Sequence, residues 1–382
     1  MYDILQVAYN CCIIIPPEKF LGIDEIITYN FASNSFLGGV IMRKVLLSVL
    51  ALVFISTSSY ADTVIKISHQ GTANPEVNIQ SYFVNEFTTR VTAKTGGSIT
   101  FEVYPDEQLG TEEQRMELMM KSGLNQPVAD ITSFNALGTV LPELYPSAIP
   151  FMFNSYKAAH IFFDTSEYMA KLKALFRERT GCVMLEVVEE GGFLAFTNSK
   201  REIHSPKDFA GLKFRAMDEG QIAIFRAFGA TGTPIPWGEV YMALKTGVVD
   251  GQMNPAFYIL LGSLPEVQKY MTLANIQYSD QFLTMNGDLY DSLSDAERAA
   301  IHEAAHEANT LTRTRIEAQD SEQVEECRQK GMNVYAPNSE EMDEFRNLGQ
   351  PGYIEWLKGR LDDSQWLDMA LRDSESANAQ AQ

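Results

Sequence analysis

The sequence predicts an α/β protein of two lobes, joined by crossover hinge strands and braced by one long helix spanning both. Three observations predict it. At 382 residues the chain exceeds what one hydrophobic core usually organises, so two lobes are expected. Residues 64–132 alternate strand and helix patterns in a βαβαβ rhythm, and a second such series follows Val188. Between Ser294 and Gly331 no proline or glycine interrupts the chain, which implies one helix of unusual length.

Composition narrows the function classes. Hydrophobic residues make up 45% and charged residues 21%, the balance of a folded globular chain and not of a disordered one. A formal charge of -20 excludes nucleic acid and anionic membrane surfaces as partners, because both require a basic footprint. It leaves small anions open. One or two cations in a water-poor cleft outweigh a diffuse field that salt screens within about 10 Å.

Taken in order, the first element is a targeting signal over residues 42–61. Arg43 and Lys44 precede the apolar run 45–55, which is too short to span a bilayer, and Ser59 and Ala61 occupy the -3 and -1 positions of a cleavage site. Asp62 is the expected first residue of the mature, exported chain, with no stable membrane insertion. Residues 1–41 read as a mis-set start or an upstream extension. Cys11 and Cys12 fall there, and Cys182 and Cys327 are expected as two separate thiols.

A strand over 64–68 is followed by a helix with Phe83, Val84, Phe87 and Val91 at three- and four-residue spacing, ended by Thr95-Gly96-Gly97. A second strand covers 99–104, Thr111 caps a helix running to Gly123, and a third strand covers 128–132. The second series predicts strands over 193–197, 212–216 and 248–250, with helices over 221–228 and 238–245. Ser294-Asp295-Ala296-Glu297 is a capping box for the long helix. The tail 374–382 is expected to fray. Lobe I is expected over 62–190 with about 282–322, and lobe II over 191–281 with about 323–382.

The most informative runs are Gly211-Leu212-Lys213-Phe214-Arg215, Pro236-Trp237-Gly238-Glu239-Val240-Tyr241, and Leu244-Lys245-Thr246-Gly247-Val248-Val249-Asp250-Gly251-Gln252-Met253-Asn254-Pro255. In this order and spacing, with Gln108-Leu109-Gly110 and Pro150-Phe151-Met152-Phe153 upstream, the chain resembles the solute-binding proteins of tripartite ATP-independent periplasmic (TRAP) transporters, the DctP-like family. The resemblance covers nearly all of the chain after residue 61. It implies a non-enzymatic periplasmic receptor without cofactors that closes on a small organic carboxylate. It also implies delivery to the membrane permease subunits of a TRAP transporter, driven by an ion gradient without ATP.

Arg215 ends a strand pattern, where open α/β sheets gather ligands, and its planar fork suits a carboxylate. Residue pattern alone leaves a surface ion pair with Asp218 or Glu219 equally open; the resemblance selects the ligand clamp. Asn254 before Pro255 reads as a helix cap, and the resemblance adds ligand contact. Trp237, Tyr241, Phe257, Tyr258 and Tyr278 supply aromatic walls, with Trp237 and Tyr258 favoured for the pocket. His69 and Gln70 follow the first strand and Phe134 the third, so they are expected to face the cleft; Glu190 completes the candidate set. Many relatives carry an arginine where Leu194 stands here, so the cleft is expected to suit a monocarboxylate.

Two rival readings are a ligand-sensing partner of a signalling receptor and a zinc metallopeptidase. His302-Glu303-Ala304-Ala305-His306 matches the H-E-x-x-H pattern of the latter. The apolar stripe of that helix is Ile301, Ala304, Ala305, Ala308 and Leu311, which turns both histidines toward solvent, and no convincing third ligand follows. N-terminal sequencing of the exported protein should begin at Asp62. An exported product that begins elsewhere overturns the cleavage assignment.

Overall fold

The computed structural model describes residues 63–121 and 128–382. The expected signal peptide at 42–61, the upstream segment 1–41, Asp62 and the helix end at Gly123 lie outside the described residues. Residues Asp62–Gln382 form one unit. Its first part realises the expected rhythm as β1 (Thr63–Ser68), α1 (Ile79–Lys94), β2 (Ile99–Tyr104), α2 (Glu112–Met120) and β3 (Ala129–Ser133). Helices α3 (Phe134–Val140), α4 (Tyr156–Thr165) and α5 (Glu167–Thr180) lead to β4 (Val183–Phe193).

The second part contains β5 (Ala195–Asn198), β6 (Lys213–Ala216), α6 (Glu219–Ala227), β7 (Thr231–Pro234), α7 (Val240–Thr246), β8 (Gly251–Asn254), α8 (Ala256–Leu261) and β9 (Tyr270–Thr272). The chain returns through β10 (Tyr278–Met285), α9 (Gly287–Ser292) and the long α10 (Asp295–Gln329). It ends with β11 (Asn333–Tyr335), α11 (Ser339–Lys358) and α12 (Gln365–Ala381).

The strands form two sheets, one per lobe, ordered β2-β1-β3-β10-β4 and β11-β9-β5-β8-β6-β7. The lobes are joined where β4 passes into β5 and where β9 passes into β10. These crossovers bond to each other: Leu194 N–H donates to the Gln277 carbonyl at 2.9 Å and Ile276 N–H to that of Leu194 at 3.3 Å. Gly192 lies at the bend with φ +90°, and a Cβ there would fall 2.3 Å from the Tyr156 hydroxyl. Glycine is required on both counts.

Helix α10 is about 52 Å long at 1.5 Å per residue, enough to reach across both lobes. Its first half lays Ile301, Ala304, Ala305 and Ala308 on a core with Ile65, Ile67, Phe83 and Phe87 of lobe I. Near its end, Cys327 joins Ala195, Leu244, Ile259 and Met271 in the core of lobe II. Midway, the Asn309 amide donates to the Glu186 carboxylate and the Val187 carbonyl, both at 2.8 Å, and Arg313 grips Asp164 through two bonds of 2.7 and 2.8 Å. The apolar stripe differs from expectation at Leu311, which is only half-buried; Asn309, Thr312 and Ile316 continue the buried face instead.

Other expectations need correction. The strand expected over 248–250 is β8, starting at Gly251. The left-handed Gly247 closes α7 and leaves Val248 exposed in the following turn, and Gly251 then passes so close to β5 that a Cβ would meet the Thr197 carbonyl at 2.3 Å. The tail is not frayed: Asn378 donates to the Met152 carbonyl and accepts from the Asn154 N–H, both at 2.9 Å, pinning α12. Helix α12 packs on α4 and α5 of lobe I, whereas α11 packs on α6 of lobe II, so residues 323–382 do not all lie with lobe II. Cys182 and Cys327 are both buried and unbridged, in different lobes.

The Asp130–Arg115 pair sets the position of α2. Both side chains are fully buried, with Arg115 Nε 2.8 Å from Asp130, which also accepts from Ser68 and Thr132. Asp130→Ala strands a buried guanidinium and should destabilise the fold by about 3–5 kcal/mol. Urea unfolding checks this, and a loss under about 1 kcal/mol would show that the pair is dispensable.

Candidate binding cleft

A cleft of about 680 Å³ opens between the lobes, and its polar groups arrive from the carboxyl ends of strands in both sheets. Gln70 follows β1, Ser133 ends β3, Glu190 and Leu194 stand at the β4–β5 crossover, Arg215 is the penultimate residue of β6, and Asn254 ends β8. The loop after β7 adds Trp237. A smaller cavity of about 250 Å³ adjoins it, sharing Gln70, Trp237 and Tyr258.

Arg215 is 5% exposed. Its Nε donates to the Ile235 carbonyl at 2.8 Å, which fixes the plane of the guanidinium. Among the described residues no carboxylate lies within ion-pair distance of it, so its terminal nitrogens remain open to an acceptor in the cleft. Burial lowers its pKa to about 10, opposed by the fields of Glu112, Asp218 and Glu190, so it stays cationic at neutral pH.

The two acidic neighbours that the residue pattern left open as partners are occupied elsewhere. Asp218 caps α6, accepting the Gln221 N–H at 2.8 Å, and Glu219 pairs with Arg360. Burial raises the Asp218 pKa to about 6 despite the capping bonds. Glu112, in the first turn of α2, accepts from the Ser133 hydroxyl, and burial raises its pKa to about 7. Glu190 accepts from Ser279 at 2.7 Å and from Gln281, and burial pushes it upward as well.

Of the ten residues expected at the site, Arg215, Asn254, Trp237, Tyr258, Gln70, Glu190 and Leu194 line the cleft. Three do not. His69 is 1% exposed, its side chain turned inward from the strand end, and burial together with Arg115 lowers its pKa to about 4. Phe134 packs edge-on against Tyr145, one layer behind the wall. Tyr278 is buried among Phe153, Tyr156, Phe163 and Phe193. Asn254 lines the cleft but is not a cap: Pro255 holds that position, and the Asn254 amide donates to Gln252.

Sequence reasoning missed Glu112, Asp218, Tyr145 and Ser279, which also line the cleft. The helix-start patterns at Thr111 and Asp218 could have located the first two; nothing local distinguishes the others. The H-E-x-x-H residues lie on the outer face of α10, each with its own partner. His302 meets the Tyr290 hydroxyl at 2.8 Å, Glu303 pairs with Lys94 at 3.1 Å, and His306 lies 3.8 Å from Glu186.

Known proteins share this sequence pattern and architecture. Residues 70–359 match the bacterial extracellular solute-binding proteins, family 7. A solute-binding protein of Verminephrobacter eiseniae is 31% identical over 70% of this chain and 75% of its own length. The ectoine-binding periplasmic protein of Halomonas elongata is 29% identical over 76% and 83%. A TRAP periplasmic solute-binding protein from Ochrobactrum anthropi, with a C-terminus bound in its ligand-binding pocket, has a TM-score of 0.75 at 27% identity, covering 84% of this chain and 98% of that one. One from Polaromonas, bound to D-erythronate, has a TM-score of 0.72 at 27% identity, covering 83% and 98%.

Two of these raised carboxyls, Glu112 and Asp218, make stability pH-dependent across a definite window. Glu112 keeps its proton to about 7 when folded, against 4.5 for the ordinary carboxyl, and Asp218 to about 6 against 3.8. Across these windows the folded state holds more protons on Glu112 and Asp218, so their contribution to stability falls as pH rises from about 4 to 7, while His69, lowered to about 4 by burial, offsets part of the fall below about 6.5. Urea unfolding between pH 5 and 7.5 should show the decline, and Glu112→Gln should flatten its upper part. An identical slope in that variant would rule out Glu112 as the source.

Proposed function

The chain belongs to the bacterial extracellular solute-binding proteins of family 7, and we propose that it is the periplasmic receptor of a TRAP transporter that captures a small organic carboxylate through Arg215. The observation that carries this reading is a buried guanidinium held by one backbone carbonyl, with its terminal nitrogens aimed at open cleft. A carboxylate completes that fork through two parallel charge-assisted hydrogen bonds. Relatives support the ligand class: one is named for 2,3-diketo-L-gulonate, one for sialic acid and one for C4-dicarboxylates.

Closure is the working motion. In the open form water solvates Arg215; the ligand displaces it, and groups of lobe I such as Gln70 and Ser133 meet the ligand as the lobes rotate about the two crossovers. Lobe I accordingly comprises sheet β2-β1-β3-β10-β4 and its helices, and lobe II the other sheet. Micromolar to nanomolar affinity, on the order of -8 to -12 kcal/mol, is within reach of one bidentate pair and an apolar wall. Leu194 leaves the cleft one cation poorer than many relatives, which favours a single carboxylate.

The closed receptor would dock on the membrane permease subunits and release its ligand there. Among the described residues no helix is long and apolar enough to cross a membrane. The work is binding rather than bond-making.

Arg215→Lys keeps the charge and loses the fork, so it should weaken binding at least tenfold, about 1.4 kcal/mol. Calorimetry with the acid recovered from a denatured extract of the purified protein measures it. Unchanged affinity would remove Arg215 from the clamp.

A further inference from the structure

The interior of the cleft carries more carboxyl groups than cations among the described residues. Among the described residues Arg215 is the cation of its inner wall, since Arg360 at the rim is taken by Glu219. Facing it are Glu112 and Glu190, neither of which has a cationic partner within ion-pair distance among the described residues, and Asp280 lies buried close to Glu190. A ligand that is only an anion would satisfy Arg215 and meet these carboxyls, once ionised, as repulsion.

The wall beside Arg215 on the same lobe is aromatic. Trp237 and Tyr258 stand edge to face with centroids 5.4 Å apart, and Tyr258 lies within the field of both Glu190 and Glu112. Its hydroxyl is buried beside Glu190 and Gln281. Carboxylates beside aromatic faces form the chemistry that holds an alkylated or protonated nitrogen, through cation–π attraction and direct charge pairing.

We propose that Glu112 and Glu190, with the rings of Trp237 and Tyr258, form a cation-accepting subsite beside Arg215, so that the ligand is a small zwitterion bearing one carboxylate and one positively charged nitrogen. The proposal rests on the reading of Arg215 as the carboxylate clamp. It accounts for the surplus of acid in the cleft, because a zwitterion brings one charge for each pole and adds no net charge on burial. The proton that burial holds on Glu112 up to about 7 is the stand-in for that cation in the empty receptor.

Isosteric pairs test it. Glycine betaine and 3,3-dimethylbutyrate differ only in nitrogen against carbon at the branched centre, and proline and cyclopentanecarboxylate differ in the ring nitrogen. Calorimetry of the exported chain at pH 7.5 should favour the zwitterion of a pair by about tenfold or more. Glu190→Gln should erase most of that preference, and Trp237→Leu offers the same readout should the first variant fail to fold. Carbon isosteres binding as tightly as the zwitterions overturn the subsite, as does acid binding that appears only with an added divalent cation. Mass spectrometry of the co-purified ligand decides the matter if neither pair binds: a compound without a basic or quaternary nitrogen overturns the proposal. Arg215→Lys separates the two readings. Loss of both pair members there, with the zwitterion preference absent in the native chain, leaves the clamp standing and removes the subsite; no effect there removes the clamp, and the Glu190→Gln result still judges the subsite.

Discussion

A desolvated guanidinium without a carboxylate partner is the constraint around which the cleft is arranged. Burying Arg215 costs free energy, visible as the fall of its pKa to about 10, and one hydrogen bond to the Ile235 carbonyl does not saturate its donors. Asp218 and Glu219 are near enough in sequence to quench it, yet one caps α6 and the other reaches Arg360. The site therefore retains unspent binding capacity, and a ligand carboxylate is what releases it.

The scaffold serves that arrangement from both lobes. Parallel strands β6, β7 and β8 end together, which brings Arg215, Trp237 and Asn254 to one edge. On the facing lobe the buried Arg115–Asp130 pair ties α2 to β3, and so fixes where Glu112 and Ser133 enter the cleft. Between them the crossover bends at Gly192 against Tyr156, while α10 is bonded to β4 through Asn309 and reaches the lobe II core with Cys327. The lobes are thus linked by a short, hydrogen-bonded crossover and by the long α10.

Much of this was legible in the chain itself. The capping box at Ser294 and the absence of proline and glycine to Gly331 described α10 nearly to the residue, because helix starts and stops are written in local hydrogen-bonding groups. The run ending in Arg215 and the segment around Trp237 located the lobe II half of the cleft. The lobe I half was less legible. His69 and Phe134 follow strands whose ends face the cleft, but strand alternation and helix entry turn those side chains into the core. Tyr278 packs behind the wall instead of lining it, and aromatic type alone does not distinguish the two positions.

Local order, then, was the sequence's to determine: the alternation of strands and helices, the long brace, the motif that carries the clamp and the net acidic charge. These depend on periodicity and on residues within a few positions of each other. Pairing across the cleft was decided only by the tertiary structure. Glu112, Glu190 and Arg215 lie in different elements, and whether they quench, repel or await a ligand depends on distances and desolvation that exist only once both lobes are packed.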